Sequence, residues 1–345
     1  MMPPKKHLRK ILLIRFSSIG DIVLTTPVVR CLKMQLGVEI HYLTKEGFAP
    51  ILEANPYIDK LISIQKKVSE VLPVLHREGY DCIVDLHKNL RSFQVKLGLF
   101  PTKSYTFDKI NFEKWLLVNF KIDRLPNLHI VDRYMKAIEP FGIANDGEGL
   151  DYFLGDVSNP PFLNSFFHAT EHLSQNEAKD GWEFIAFAIG AAHRTKRLPV
   201  EKVVAICQKI ELPIVLLGGK GEAAEGDEIA QKAGNHVFNA CGKWSINESA
   251  TVIRQATKVI THDTGMMHIA AAFQKEIISI WGNTIPEFGM NPYFINGVKK
   301  NTTVEVKALA CRPCSKIGYQ NCPKGHFKCM MDIPEEIIVE KVNKS

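Results

Sequence analysis

The chain has 345 residues, 46% hydrophobic and 23% charged, the composition of a globular protein too long for one comfortable core, which predicts two domains. No apolar run approaches the roughly 20 uncharged residues of a membrane-spanning helix, because Arg15 and Asp21 interrupt the longest candidate. The net charge of +6 lies wholly in the first 150 residues, with 22 Lys and Arg against 16 Asp and Glu, which suits an anionic substrate, a membrane face or a nucleic acid, or is a plain solvated surface.

From the N-terminus, the basic start "MMPPKKHLRK" leads into "ILLIRF", too short and too charged for the apolar part of a secretory signal, so the sequence predicts a cytoplasmic protein. Short apolar runs then alternate with helix-length amphipathic segments, the pattern of a parallel sheet covered by helices. Strands are expected at 10–16, 38–43, 60–64, 81–86 and 103–107, with helices in "VSEVLPVLHREG" and "IVDRYMKAIEPFG". The stretch around 155–180, with its Pro pair and polar flanks, breaks the pattern and reads as a linker. A second series of strands follows at 184–190, 213–219, 236–241, 258–262 and 276–282, with helices in "LPVEKVVAICQKI" and "NESATVIRQA". The tail "DIPEEIIVEKVNKS" reads as a final helix capped by Asp332.

The expected fold is therefore α/β, with two Rossmann-like doubly wound domains. An N-terminal domain over 1–160 is followed by a linker over 161–180, a C-terminal domain over 181–330 and a helix over 331–345. Ligands in such sheets bind beyond the carboxyl ends of the strands, so chemistry belongs in the loops after them. Neither domain has a G-x-G-x-x-G turn after its first strand, which argues against hydride transfer on a dinucleotide.

After the first strand, "IRFSSIGDIV" places Ser17, Ser18, Gly20 and Asp21 at the handover to a helix, where a carboxylate serves as a cap or as a base. Pro27 suits the first turn of a regular helix, which would leave Asp21 in an irregular turn ahead of it. After the fourth strand, "VDLHKNLRS" offers His87, Lys88 and Arg91, which with Lys109, Lys114 and Arg133 could receive an acidic acceptor.

In the second half, "AAHRTKRLP" crowds His193, Arg194, Lys196 and Arg197 before a helix, an arrangement suited to a diphosphate or to simple solvation. "LLGGKGE" offers Glu222 to a ribose, or as a first-turn acid. "THDTGMMHIAAAF" sets Asp263, Thr264 and Gly265 at a strand end, with His268 one turn in; singly these read as a cap and a core histidine, together as an anion site.

These segments, with "ILLIRFSSIGDIVLTTPVV" and "SIWGNTIPEFGMNPY", resemble glycosyltransferase family 9, the bacterial heptosyltransferases of lipopolysaccharide inner-core synthesis. The resemblance runs in family order over nearly the whole chain. It implies a GT-B architecture, two domains facing across a cleft, with the nucleotide-sugar donor on the C-terminal one and the acceptor on the N-terminal one. It further implies inverting, metal-independent transfer of heptose from ADP-heptose to an acidic inner-core acceptor of the Kdo-lipid A type. Through it Asp21 corresponds to the general base, Lys196 to the lysine on the donor diphosphate and Glu222 to the acid near the nucleoside. Asp263 corresponds to the donor-sugar contact, and Thr264, Gly265 and His268 to the pyrophosphate loop. Ser17, Ser18, Gly20, Lys88 and Arg91 are candidates for the acceptor side. A hydroxyl-bearing pair usual in the family is here Ala191 and Ala192.

No cofactor is expected for catalysis, and the expected partners are a nucleotide-diphosphate sugar, the acidic acceptor and a peripheral contact with the inner membrane, with no nucleic acid. The readings kept open are another nucleotide sugar or surface glycan, and a non-catalytic nucleotide-sugar or nucleic-acid binding protein. Cys31, Cys82, Cys207 and Cys241 sit among apolar neighbours and read as buried hydrophobes. Cys311, Cys314, Cys322 and Cys329 have a spacing that permits a four-thiolate structural zinc site, with His326 as a substitute ligand, or that simply holds reduced thiols.

Overall fold

A computed structural model describes residues 8–157, 160, 166–167, 170 and 182–344. The chain divides into two compact units, residues through Lys109 together with Leu128–Gly155, and Ile110–Asn127 together with residues from Asp156 onward. Apart from Phe166, Phe167 and Thr170, the expected linker over 161–180 lies outside the described residues.

The first unit is built on a parallel sheet of β1 (Lys10–Ile14), β2 (Glu39–Lys45), β3 (Lys60–Ile64), β4 (Cys82–Asp85) and β5 (Lys103–Thr106), in the order β3-β2-β1-β4-β5. β1 is central because Ile11, Leu12, Leu13 and Ile14 are apolar on both faces and fully buried, as a strand covered on both sides must be. It pairs Leu13 with Tyr42 on one side and with Val84 on the other. Leu12, Ile14, Leu43, Ile62 and Ile83 make one face of the sheet, on which Val95 and Leu99 pack. The helices up to residue 138 are α1 (Ile19–Val23), α2 (Thr26–Leu36), α3 (Leu72–Glu78), α4 (Leu90–Gly98), α5 (Asn111–Phe120) and α6 (Ile130–Ile138). Pro27 stands in the first turn of α2, and Gly37, at φ 63°, ends that helix with its N–H on the Lys33 carbonyl. Buried Arg30 on α2 binds both carboxylate oxygens of Asp146 at 2.8 Å and also Asp151, which fastens residues 146–151 back onto the unit.

The segment 110–127, expected within the N-terminal domain, packs instead with the second unit. Lys114 lies over the Phe288 ring, and Lys121 donates to the Pro313 carbonyl at 2.7 Å.

The second unit carries β6 (Ile185–Ala188), β7 (Ile214–Leu217), β8 (Val237–Asn239), β9 (Lys258–His262), β10 (Glu276–Trp281) and β11 (Asn301–Glu305), parallel in the order β11-β10-β9-β6-β7-β8. Its helices are α7 (Val200–Gln208), α8 (Ala223–Ala233), α9 (Ile246–Gln255), α10 (Gly265–Ala272), α11 (Lys328–Met331) and α12 (Glu335–Asn343). Ile185, Phe187, Leu216, Ile260, Ile278 and Ile280 form the sheet side of its core, closed by Val203, Ile206, Ile338 and Val342. Each such fully buried aliphatic side chain contributes about 2 kcal/mol.

Two expectations are corrected. β11 is a further strand, invisible as an apolar run because it is an edge strand in which only Val304 of "NTTVE" is buried. Asp332 does not cap the last helix, which starts after Pro334; Asp332 closes α11 instead. The four scattered cysteines are buried as expected.

At the amino ends of the first sheet, Glu78 accepts from Lys10 at 2.8 Å and Lys60 at 2.5 Å. These bonds hold its carboxyl down at about 2. A depressed carboxylate stabilises the fold above its ordinary value of 4.5 and loses that contribution as pH falls toward 2. Urea unfolding at pH 6 and pH 3 should therefore show a larger loss of stability for the native chain than for Glu78→Gln; equal losses would remove Glu78 as the source.

Candidate active site

In the first sheet the strand order reverses between β1 and β4, and the carboxyl ends of these two strands form the crevice where such sheets bind ligands. Arg15, directly after β1, is buried and ties the crevice together. It donates from Nε to the Ser17 carbonyl at 2.8 Å and from Nη1 to the Leu86 carbonyl and the Tyr134 hydroxyl, and its Nη2 pairs with Asp21 Oδ1 at 2.7 Å. Asp21 is the third residue of α1. Its Oδ2 accepts from Ser18 Oγ at 2.7 Å and from Ser18 N at 3.2 Å. The carboxylate is thus a cap of a five-residue turn and half of an ion pair at once, and both partners favour its ionised form. Gly20 is buried within the same turn.

The loop after β4 is organised by Asp85, a buried acid for which the sequence reading assigned no role. Its Oδ1 accepts from the backbone of His87 at 3.0 Å and Lys88 at 2.8 Å, and Oδ2 pairs with Lys96 at 2.9 Å. This turn holds Lys88 at φ 51°, with its ammonium 3.8 Å from Asp108. His87 meets Phe16 edge to face at 5.4 Å. Burial, reinforced by Arg15 and Lys109, pushes its imidazole down to about 4, so it is neutral at pH 7. Arg91 is half-buried on α4. Arg133 is buried on α6, and Lys114 belongs to the second unit.

The second sheet reverses between β6 and β9, and here the candidate residues come together. Lys196, in the short turn Arg194–Lys196, pairs with Asp263 Oδ2 at 2.6 Å, and the same oxygen accepts from Thr284 Oγ1 at 2.8 Å. Beside this pair the Leu198 amide donates to His262 Nε2 at 3.0 Å. His262 is fully buried, and desolvation together with Arg197 and Arg194 pushes it down to about 3. Its ring is therefore neutral, with Nε2 an acceptor, and locks the loop after β6 to the end of β9. Thr264 caps α10 by accepting from Met266 N at 3.3 Å, Gly265 opens the helix, and His268 lies buried within it.

Arg197 does not extend the cationic loop toward an anion. Its Nη1 binds Glu222 Oε1 at 2.6 Å and its Nη2 binds Glu225 at 3.1 Å. Glu222 Oε2 also accepts from Gly219 N at 2.9 Å. A Cβ at Gly190 would sit 3.0 Å from that Oε2, so the glycine lets the end of β6 approach the carboxylate.

The cysteine-rich segment supports this unit from behind. Tyr319 N donates to Thr195 Oγ1 at 2.8 Å, and Thr195 N and Oγ1 return bonds to the Tyr319 carbonyl at 3.1 and 2.9 Å. Arg312 binds the carbonyls of Val306 at 2.7 Å and Thr284 at 2.9 Å and the carboxylate of Glu305 at 2.8 Å. Among the described residues, Glu39, His41 and Glu78 have ligand atoms within 4.8 Å of one another, but Lys10 and Lys60 already neutralise Glu78. As arranged, the four clustered cysteines do not form such a group. Cys314 donates to the Cys311 carbonyl, and burial raises the Cys314 and Cys329 thiols to about 11 and about 12.

The profile of glycosyltransferase family 9 (heptosyltransferase) matches residues 70–323. The chain belongs to glycosyltransferase family 9. Among curated relatives of this family-9 chain, lipopolysaccharide heptosyltransferase 1 of Campylobacter coli is 25% identical over 97% of it and 98% of the relative. Lipooligosaccharide heptosyltransferase 2 of Campylobacter jejuni serotype O:2 is 30% identical over 94% of each. The solved structure of the Escherichia coli heptosyltransferase WaaC with ADP superposes with a TM-score of 0.66 at 18% identity, covering 97% of this chain and 99% of that one. The family-9 chain is accordingly a glycosyltransferase of the α/β GT-B class, with one parallel sheet in each unit.

Removing the guanidinium that ties the first crevice should be costly. Arg15→Met leaves a carboxylate and the Leu86 carbonyl without their partner, and is expected to lower stability by about 3 kcal/mol in urea unfolding. A loss within about 0.5 kcal/mol of native would show that the crevice stands without it.

Proposed function

We propose that the protein transfers a heptose from ADP-heptose, with inversion and without a catalytic metal, to an acidic lipopolysaccharide inner-core acceptor of the Kdo-lipid A type, at the cytoplasmic face of the inner membrane. The reading is supported by the heptosyltransferase relatives that match along nearly the full chain, one of them 30% identical, and by the WaaC structure with ADP. The observation within the chain that carries it is the pairing of Lys196 with Asp263 where the loops after β6 and β9 meet beside the N-terminus of α10. That constellation offers a cation and the positive end of a helix to a diphosphate, which is what a leaving nucleotide requires.

In this proposal Asp21, kept ionised by Arg15 and oriented by Ser18, takes the proton from the acceptor hydroxyl as it attacks the anomeric carbon. The bond from that carbon to the diphosphate breaks on the opposite face, which inverts the centre. Lys196 and the first amides of α10, around Thr264 and Gly265, hold the charge that gathers on the nucleotide, the task a divalent ion would otherwise perform. Asp263 orients Lys196 and meets the donor sugar, and His268 backs the pyrophosphate loop from inside α10. Glu222, fixed by Arg197 and Gly219 N, faces the nucleoside. Ser17, Ser18, Lys88 and Arg91 receive the anionic acceptor, and Gly20 keeps the turn compact.

Asp21→Asn removes the base while keeping the shape of the side chain. Turnover should fall by at least about a hundredfold with ADP binding within a factor of two of native, measured by coupled assay and calorimetry. Undiminished turnover would take Asp21 out of the mechanism. Lys196→Ala should weaken ADP binding by about tenfold, the value of one charge-assisted contact; unchanged affinity would exclude Lys196 from the diphosphate site.

A further inference from the structure

The loop that follows β10 is gripped around Thr284. Arg312, whose side chain is 6% exposed, donates from Nε to the Gly282 carbonyl at 2.5 Å and from Nη2 to the Thr284 carbonyl at 2.9 Å and the Glu305 carboxylate at 2.8 Å. Between these two carbonyls, that of Asn283 accepts from Cys314 N at 3.1 Å. Gly282 lies close against the turn that carries Lys196, since a Cβ there would stand 2.8 Å from the Thr195 carbonyl. Thr284 itself is buried, and from this fixed backbone its hydroxyl donates to Asp263 Oδ2 at 2.8 Å.

Asp263 Oδ2 therefore has two partners of different mobility. The Lys196 ammonium, 2.6 Å away, ends a flexible four-carbon stem and can follow an anion, whereas the Thr284 hydroxyl is carried on a short side chain whose backbone Arg312 holds. Oδ1 takes part in neither bond. The Asp263 side chain is only 11% exposed, so a carboxylate whose cation had turned to a diphosphate would be poorly solvated and repelled by the newcomer. A neutral donor on the same oxygen reduces both costs without adding or removing charge.

We propose that Thr284 is a positioning residue of the donor site: its hydroxyl keeps Asp263 seated while a diphosphate takes a share of the Lys196 ammonium, and its hold on Oδ2 leaves Oδ1 to the donor sugar. The inference rests on the diphosphate role proposed above for Lys196. A hydroxyl that only braced the fold would matter equally with and without the lysine. One that steadies Asp263 against the loss of its cation matters to the nucleotide only while that cation is present.

Calorimetric titration of the full chain with ADP tests this in a double-mutant cycle. Thr284→Val removes the hydroxyl and keeps the branched shape, and should weaken ADP binding about fivefold, a part of what a hydrogen bond to a charged group contributes. Thr284→Ser, which returns the hydroxyl, should bind within about twofold of native. In the Lys196→Ala background the same Thr284→Val change should alter ADP affinity by less than about twofold. If the valine variant does not fold, Thr284→Ala takes its place in the cycle. Native-like ADP affinity in Thr284→Val beside a weakened Lys196→Ala would overturn the role of Thr284 alone. So would equal losses from Thr284→Val with and without Lys196, or a serine variant that fails to restore binding. ADP affinity untouched by Lys196→Ala would overturn the diphosphate reading itself, and this inference with it.

Discussion

The constraint on which the rest depends is parallel strand order. A parallel sheet must route every connection back across a face, and helices therefore cover both faces. Where the winding direction changes, between β1 and β4 and again between β6 and β9, the two neighbouring connections depart to opposite sides. No crossover then covers the strand ends, and short loops with polar side chains can stand there. Asp21, Asp85 and Lys88 occupy the first of these openings, and Lys196, Asp263 and Thr264 the second. Their placement follows from topology before any particular interaction is made.

Within each opening, a buried nitrogen base or guanidinium fixes the loops, and more accessible groups complete the site. Arg15 and His262 play these parts with opposite chemistry. Arg15 is charged and brings its own counter-ion, together with two carbonyls and a phenol, so the cost of burying the guanidinium is offset by four partners. His262 is neutral and acts as an acceptor for one backbone amide. The residues proposed to meet ligands carry internal partners: Lys196 holds Asp263, and Glu222 holds Arg197. A bound diphosphate must therefore compete for an ammonium that is already oriented, which favours ligands able to offer a second anionic oxygen without detaching the first pair.

Legibility in the sequence tracked burial. The central strands could be read directly, because β1, β4, β6 and β9 are buried on both faces, and residues 11–14 of β1 and Ile185–Ala188 of β6 appear as continuous apolar runs. β11 is half-exposed and hydroxyl-rich, and its pairing with β10 leaves no local pattern to find. In the candidate site, residue types at strand ends were legible and their partners were not. Arg197 was indistinguishable from Lys196 in a cationic loop, although the acids that claim it lie 25 and 28 residues further on. Asp85 reads as the last residue of an apolar strand, and its hold on the Lys88 turn is apparent only once the loop is folded. Asp332 had the right residue type for a cap, but Pro334 sets the start of the last helix two residues later.

The reciprocal bonds between Thr195 and Tyr319 join positions 124 residues apart, and their consequence lies in the order of synthesis. A chain emerging from the ribosome makes β6 and the turn at Lys196 well before the segment that braces this turn, which arrives 124 residues later. The first unit is complete much sooner, once Asp146 and Asp151 have closed on Arg30. One unit can thus mature while the other is still being made, and the proposed nucleotide loop is finished only once Tyr319 has been added.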